Sequence, residues 1–195
     1  MDFSLPSGWK VLTCQDCSAA PVVADVETEI ARALDSPIGS PPLEELAKPG
    51  MEVAVLFDDI QRPTPVHIAF PPILNRLNKA GVPDECINGV CALGTHPPLN
   101  AEQLEKKVGQ EAFRRLQGRV QNHDPRSSEN ILVGRTNRGT IVEFNRLVAQ
   151  ADLVIGIGEC MPHPFSGFGG GCKIIMPGVS SYRAVALRPW RCRSI

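Results

Sequence analysis

A histidine, a run of glycines and a lysine lie close together between residues 162 and 173, and these residue types can bind a ligand. The candidates are His163, Gly167, Gly169, Gly170, Gly171 and Lys173. Glycine lets a backbone approach a ligand closely. Apolar residues follow Lys173, so we expect its amine to lose hydration, which lowers its pKa and makes the neutral nucleophile accessible. The segment therefore predicts a ligand site, with covalent attachment through the lysine as one outcome.

Two nucleotide-binding motifs nearly match this segment, and both fail. A phosphate loop requires Gly-Lys-Ser/Thr, but Lys173 stands between Cys172 and Ile174. The dinucleotide fingerprint requires a third glycine where Cys172 occurs. A glycine-rich turn alone is more often only a turn. The histidine and the lysine beside it are therefore what favour a site.

The composition is typical of one soluble globular domain, with 195 residues, 43% of them hydrophobic and 21% charged. A formal net charge of −1 provides no basic surface for nucleic acid. No apolar run reaches the roughly 18 residues that a membrane span needs, and residues 1–6 lack the features of a signal peptide. The odd count of seven cysteines is typical of reduced thiols. We therefore expect a cytoplasmic protein that binds neither nucleic acid nor membrane.

Apolar runs and turn signals predict strands that alternate with helices. The predicted strands are an edge strand at 9–12, strands at 52–57 and 87–93, a short strand and turn at 120–125, and strands around 131–133 and 153–157. The predicted helices are 26–34 after an Asp25 cap, 43–47, Pro71-Pro72 to Gly81, 100–117, and a Thr140-to-Glu143 capping box through Val148. This alternation predicts an α/β fold with a Rossmann-like, mainly parallel sheet and helices on both faces.

Three segments with reactive side chains follow predicted strands of this sheet. Asp59 and Arg62 follow the strand at 52–57, His96 follows the next strand, and the segment from His163 to Lys173 follows the last. Ligands bind beyond the carboxyl ends of the strands in such sheets. We therefore expect these residues to converge on one site although they are far apart in sequence.

Four ordered motifs give this chain a family resemblance. Residues 58–65 resemble an Asp-x-Thr-Arg-Pro segment, and residues 94–96 and 122–124 resemble Gly-Thr-His and Asn-His-Asp turns. Residues 162–180 resemble a cofactor loop. Together, from about residue 37 to 183, they resemble the N-terminal domain of nickel-dependent lactate racemase and related 2-hydroxy-acid racemases and epimerases.

The resemblance implies a cofactor, a substrate class and partners. The cofactor is a nickel-pincer nucleotide, a pyridinium mononucleotide joined by a thioamide to the lysine that matches Lys173. The substrate is a small 2-hydroxy acid, from whose chiral carbon a hydride passes to the pyridinium ring, so that a planar 2-keto acid forms and the hydride returns to either face. Cofactor-biosynthesis enzymes are the implied protein partners.

The resemblance also assigns roles to individual residues. His96 and His163 would be the paired acid and base, one for each enantiomer, because the pKa of imidazole lies near neutrality. Arg62 would bind the substrate carboxylate or the developing oxyanion, and Asp59 would orient that arginine or a histidine. The glycine loop, which comprises Gly167, Gly169, Gly170 and Gly171, would turn its backbone amides to the cofactor phosphate.

The sequence departs from the family in two places. The family has a nickel-ligating histidine beyond the glycine loop, but the corresponding position lies near Pro189, and no histidine follows His163. We therefore assign no metal ligand. The expected organisation is an irregular segment and helix at 1–36, a catalytic domain at 37–187 and a divergent tail at 188–195, with the family's C-terminal domain absent.

Two alternative functions remain open at this point. A non-catalytic or degraded remnant, acting as a cofactor-binding module, would fit the two departures from the family. A metal-dependent hydrolase would use His96, His123 and His163, but the chain has no ligand pair such as H-E-x-x-H. Taken singly, His67 and His123 are better explained as structural residues, at a helix start and in a turn.

Overall fold

The computed structural model describes residues 6–10, 23–163 and 167–186. In chain order its elements are α1 (Val26–Asp35), α2 (Leu43–Leu46), β1 (Val53–Phe57), α3 (Val66–Lys79), β2 (Ile87–Cys91), α4 (Ala101–Val108), α5 (Gln110–Leu116), β3 (Val120–Asn122), β4 (Ile131–Arg135), β5 (Ile141–Phe144), α6 (Arg146–Gln150), β6 (Leu153–Ile157), β7 (Pro162–His163), β8 (Gly167–Phe168) and α7 (Tyr182–Ala186). Two 3-10 turns, Asp84–Cys86 and Gly171–Ile174, also lie within the described residues. Residues 11–12 of the expected edge strand and the tail at 188–195, which includes Pro189, lie outside the described residues.

The central sheet has four parallel strands in the order β3-β2-β1-β6. The chain therefore builds outward from β1 to β3 and then returns to the other side of β1 for β6. This reversal creates a crevice between the carboxyl ends of β1 and β6, which is where such sheets bind ligands. The predicted α/β fold with a parallel sheet is confirmed.

Successive residues of β1 pack into two separate cores, because side chains alternate across a strand. Val53, Val55 and Phe57 face the larger core, which includes residues of α3, α4 and α5. Ala54 and Leu56 face the smaller core, which includes Val148 of α6 and Val179. Every residue of β1 is buried. The prediction that helices cover both faces of the sheet is therefore confirmed.

Helix α3 begins earlier than predicted, at Val66 rather than at the Pro71-Pro72 pair. Both prolines lie inside the helix, where each removes one hydrogen-bond donor and destabilises by about 3 kcal/mol. The helix buries Val66, Phe70, Ile73, Leu74 and Leu77. Since each buried side chain of this size contributes roughly 1.5–3 kcal/mol, packing outweighs the local penalty. The predicted boundary was wrong because tertiary burial overrode proline chemistry.

The helical region 100–117 is two helices rather than one. Asn100 caps α4 and forms a capping box with Gln103. Gly109 separates α4 from α5 with a φ of 86°, a conformation that glycine adopts without strain. The predicted helical content is therefore right, but the single continuous helix was wrong.

The capping box predicted at residues 140–143 is also wrong. Residues Ile141–Phe144 form β5, which pairs antiparallel with β4 in a hairpin apart from the central sheet. The short helix α6 is capped by Asn145, whose side chain accepts a hydrogen bond from the Leu147 amide at 3.0 Å. The β-branched pair Ile141-Val142 favours a strand, and burial of Ile141 decides the local structure.

The helices predicted at 26–34 and 43–47 correspond to α1 and α2, and Asp25 caps α1 by accepting from the Glu27 amide at 3.1 Å. None of the described helices combines the length and apolarity that crossing a membrane would require.

Candidate active site

A cleft of about 120 Å³ opens where β1, β2 and β6 end. Of the residues predicted from the sequence, those in its wall are Asp59, Arg62, His96, Gly169, Gly170 and Lys173. The backbone also joins two parts of the wall, because the Gly94 amide donates to the Gly178 carbonyl at 2.8 Å. Segments that are distant in sequence therefore meet at the crevice that the strand order creates.

Asp59 and His96 form a side-chain pair in this cleft. Oδ2 of Asp59 lies 2.5 Å from Nδ1 of His96, and the Asp59 side chain is 7% exposed whereas that of His96 is 44% exposed. Oδ1 of Asp59 accepts from the Gln61 amide at 2.9 Å, which holds the carboxylate in place. An ionised carboxylate only accepts hydrogen bonds. Nδ1 of His96 therefore carries the proton, and Nε2 keeps a lone pair that can act as a base.

Arg62 points at the opposite lining residue, Met161. Its Nη1 donates to Sδ of Met161 at 3.0 Å, and its backbone amide donates to the Asp59 carbonyl at 3.1 Å. Within the described residues, no carboxylate forms an ion pair with Arg62. Thioether sulfur is a weak acceptor. The guanidinium is therefore available to an anion, and of the two partners predicted for Asp59 the structure selects the histidine.

A buried lysine that the sequence analysis missed holds the loop of Asp59 and Arg62. Nζ of Lys107 lies 2.9 Å from Oδ1 of Asp58 and donates to the carbonyls of Arg62 and Thr64 at 3.0 and 3.3 Å. Lys107 is 7% exposed. A signal did exist, because Lys107 lies on the apolar face of α4 beside Leu104 and Val108, at helical spacing.

The glycine loop depends on close packing of its backbone. Gly170 has a φ of 71°, and a Cβ there would lie 2.4 Å from the Glu159 carbonyl oxygen. The Gly169 amide donates to the Met161 carbonyl at 2.6 Å. Gly167 and Gly171 also have positive φ, but a Cβ at either would meet no described atom within 4 Å, and neither is among the described residues that line the cleft. Only part of the predicted loop therefore faces the site.

Lys173 lies on the 3-10 turn Gly171–Ile174 and lines the cleft. Burial lowers the pKa of its amine, and the positive charge of Arg62 lowers it further, while the Asp59 carboxylate opposes the change. This is the direction that the sequence predicted for a lysine followed by apolar residues. A larger fraction of the amine is consequently neutral and nucleophilic than in an exposed lysine.

His163 lies beside the cleft rather than in its lining. It belongs to β7 and pairs with Gly167 of β8. Loss of hydration lowers its pKa, and the charges of Lys173 and Arg62 lower it further. The imidazole is therefore within the electrostatic influence of the two cleft cations, although the sequence prediction placed it in the cleft itself.

His123 has the structural role predicted for it. It is 2% exposed, its Nε2 lies 2.9 Å from the Ser180 carbonyl oxygen, and burial lowers its pKa. It does not line the cleft with His96. Across the residues that the structure describes, no three His, Cys, Asp or Glu side chains gather as metal ligands would. The geometry therefore does not support the three-histidine hydrolase.

Comparisons with known proteins agree on one family. The model of the lactate racemase N-terminal domain matches residues 1–188. Lactate racemase of Lactiplantibacillus plantarum is 35% identical over 156 residues, which are 80% of this chain and 36% of that protein. Lactate racemase of Thermoanaerobacterium thermosaccharolyticum is 33% identical over 160 residues, 82% of this chain and 37% of that protein. The chain thus spans little more than a third of the length of these curated relatives.

Two solved structures resemble the fold over 82% of this chain. The lactate racemase apoprotein from T. thermosaccharolyticum superposes with a TM-score of 0.72 at 32% identity, and 38% of that chain is covered. A Thermotoga maritima protein superposes with a TM-score of 0.64 at 27% identity, and 39% of that chain is covered.

Proposed function

Because this chain belongs to the lactate racemase family, as a lactate racemase N-terminal domain, we propose that it takes part in racemising or epimerising a small 2-hydroxy acid such as lactate. The observation that carries the proposal is the cleft itself. A carboxylate–histidine pair, a guanidinium without a carboxylate partner among the described residues and an amine of lowered pKa all line it. These groups match a substrate that has one carboxylate and one hydroxyl.

His96 exchanges the hydroxyl proton of the substrate in this proposal. Its Nε2 accepts the proton, and the Asp59 carboxylate bonded to Nδ1 stabilises the imidazolium that results. The same nitrogen returns the proton when the hydroxyl of the same enantiomer is regenerated. Because Asp59 is buried and fixed by the Gln61 amide, the imidazole needs little reorganisation between the two steps.

Arg62 binds the carboxylate of the substrate. The guanidinium exchanges its weak contact with Met161 for charge-assisted hydrogen bonds to two carboxylate oxygens. This exchange orients the chiral carbon with respect to His96. Before the cofactor is attached, the protonated form of Lys173 adds a second positive charge to the same cleft, which favours the approach of an anionic group.

The nickel-pincer nucleotide is the cofactor we propose; the amine of Lys173 and the glycine backbone of the cleft support its attachment, and no nickel ligand is assigned. Lys173 supplies an amine that burial and Arg62 keep partly neutral, as acylation of that amine requires. Gly169 and Gly170 bring backbone close to the same space, and Gly167 and Gly171 extend the loop. When bound, the cofactor would supply a pyridinium ring able to accept a hydride from carbon 2 of the acid and return it.

His163 is the proposed second acid–base group, serving the other enantiomer. Its pKa is lowered by loss of hydration and by the charges of Lys173 and Arg62, so the neutral base form is favoured near neutral pH. The two imidazoles thus differ in environment, since His96 has a carboxylate partner at Nδ1 and His163 lies near cations.

Co-expression with the cofactor-biosynthesis enzymes tests the proposal. We expect peptide mass spectrometry to find the modification on Lys173, and the purified chain to convert L-lactate into a mixture of enantiomers resolved on a chiral column. Lys173→Arg should abolish both, whereas Lys79→Arg, at an exposed lysine, should change neither.

The outcomes separate the candidate functions. Modified Lys173 with no turnover of lactate or related 2-hydroxy acids would indicate a cofactor-binding module without racemase activity. An unmodified Lys173 in a folded chain, with cofactor present in the cells, would contradict the proposal.

A further inference from the structure

The ammonium of Lys107 contacts three oxygen atoms of one loop. It forms an ion pair with the Asp58 carboxylate at 2.9 Å and donates hydrogen bonds to the carbonyls of Arg62 and Thr64 at 3.0 and 3.3 Å. Asp58 in turn accepts a hydrogen bond from the Thr64 hydroxyl through its other oxygen. Lys107 thus donates two hydrogen bonds to backbone carbonyls and forms an ion pair with Asp58, so that one ammonium joins residues 58, 62 and 64.

The same loop carries two of the cleft residues to which a function is proposed. Asp59 lies next to Asp58, and Arg62 contributes one of the carbonyls that Lys107 binds. The side chains of Asp59 and Arg62 point to His96 and Met161, which lie on other segments of the cleft wall. The direction of both side chains therefore depends on the backbone path that Lys107 holds.

We propose that Lys107 is a positioning residue for the cleft: it holds the loop after β1 so that Asp59 meets Nδ1 of His96 and Arg62 faces the ligand space. The proposal concerns the loop of the folded chain, and only its consequence for turnover rests on the proposed function. Lys107 itself does not line the cleft, so it acts through the loop rather than on the ligand.

The alternative is that Lys107 only stabilises the fold. Burying a charge is unfavourable unless it is paired and hydrogen-bonded, and an apolar side chain of similar volume often serves stability as well or better. The neighbours of Lys107 on α4, Leu104 and Val108, belong to the apolar core, so an apolar residue would suit this face of the helix. What an apolar residue cannot do is bind three oxygens of one loop.

A matched control exists in the next helix. Arg115 of α5 is 14% exposed on its side chain, pairs with Asp84 at 2.9 Å, and donates to Asn75 and Asn78 at 2.7 Å each. It is therefore a partly buried cation with a comparable network, but none of these partners lines the cleft. Replacing Arg115 removes a partly buried cation and its hydrogen bonds away from the cleft. Replacing Lys107 also removes the contacts that hold the loop of residues 58–64.

The decisive measurement uses the histidine ring signals of the 195-residue chain without cofactor. Ring nitrogens are labelled with ¹⁵N, and His96 is assigned by comparison with His96→Gln. We expect Lys107→Met and Arg115→Met both to lower the melting temperature. Only Lys107→Met should shift the two ring-nitrogen resonances of His96 and reduce the signature of a protonated Nδ1.

Two further variants keep the test decisive if Lys107→Met does not fold. Thr64→Val removes the hydroxyl that binds Asp58 without removing a buried charge, and it should shift the His96 resonances in the same direction. Lys107→Arg keeps the positive charge and should recover part of the wild-type pattern. Unchanged His96 resonances in the folded members of this set would overturn the proposal and leave Lys107 a purely structural residue.

A second measurement uses the cofactor-loaded chain. Misplacing a catalytic group by about 1 Å lowers rates roughly 100-fold, so we expect Lys107→Met to lower kcat by about 10- to 100-fold while Arg115→Met leaves it within about 2-fold. Equal kcat values for the two variants would contradict the positioning role. If the wild-type chain shows no turnover, the proposed function fails while the ring-nitrogen result still decides the role of Lys107.

Discussion

The two walls of the cleft are held in place by different kinds of interaction. The loop after β1, residues 58–64, is held by contacts that side chains make. Lys107 pairs with Asp58, and Asp59 pairs with His96. In the segment after β6, whose described residues are 158–163 and 167–178, backbone packs on backbone. A Cβ at Gly178 would lie 2.0 Å from the Ile174 carbonyl oxygen, and one at Gly170 would lie 2.4 Å from that of Glu159.

The two walls should therefore fail for different reasons. Removal of a charge should disorganise the first wall, because its geometry depends on a buried ion pair and hydrogen bonds. Addition of a methyl group should disorganise the second, because its geometry depends on space that only glycine leaves. Conversely, each wall should tolerate the kind of change that damages the other.

The largest effect is expected from Asp59→Asn in the first wall. The new amide can donate to Nδ1 of His96, which would move the imidazole proton to Nε2 and remove the base that faces the ligand. We expect a loss of about 10²- to 10⁴-fold in kcat of the cofactor-loaded chain. Ring-nitrogen spectroscopy should show the exchanged tautomer in the unloaded chain.

Asp84→Asn is the control for that change, because Asp84 is also held by side-chain donors but lies with Arg115, away from the cleft. It should lower stability without altering the tautomer of His96 or the rate. A wild-type tautomer in Asp59→Asn would contradict the assignment of Asp59 as the group that orients His96.

A smaller effect, on stability, is expected from Gly170→Ala in the second wall. Gly170 and Gly167 have similar φ values of 71° and 77°, so alanine at either position pays about 1–2 kcal/mol of backbone strain. Only Gly170→Ala adds a collision with the Glu159 carbonyl, for a further loss of roughly 1–3 kcal/mol. Chemical denaturation of Gly170→Ala and Gly167→Ala measures the difference, and equal losses would refute the packing argument.

The smallest effect is a shift in the titration of Lys173, in the second wall, which Arg62 and Asp59 of the first wall influence in opposite directions. The rate at which the Lys173 amine is acylated can be followed by peptide mass spectrometry as a function of pH. It should reach half its maximum at a pH below 10.5, the ordinary pKa of lysine, because burial and Arg62 disfavour the ammonium. Arg62→Met should move that midpoint to higher pH by removing a positive neighbour. Asp59→Asn should move it to lower pH by removing a negative one.

Both shifts report the electrostatic connection between the walls. If neither variant moved the pH midpoint while burial still held it below 10.5, the charges of the first wall would have no effect on the pKa of Lys173. That outcome would remove the electrostatic part of the argument for cofactor attachment and leave only the geometric part.

Local signals in the sequence were sufficient for most of the sheet and failed where burial competed with local chemistry. The apolar runs at 53–57 and 153–157 are strands because nearly every position is buried or partly buried. Pro71-Pro72 and the Thr140-to-Glu143 pattern misled the prediction, since the packing of α3 and of β5 overrode proline and capping preferences. The candidate site was predicted in outline because strand ends in a parallel sheet share one edge.

The sequence alone determined the α/β order of the elements and the residues at the strand ends, because these properties depend on neighbours in the chain. The tertiary structure alone decided the burial and the Arg62 charge that lower the pKa of Lys173, and which side chains pair. Asp59 pairs with His96 rather than Arg62, Arg62 meets Met161, and Lys107 closes the loop. Such pairs depend on distances of a few ångströms between segments tens of residues apart, and no local pattern contains those distances.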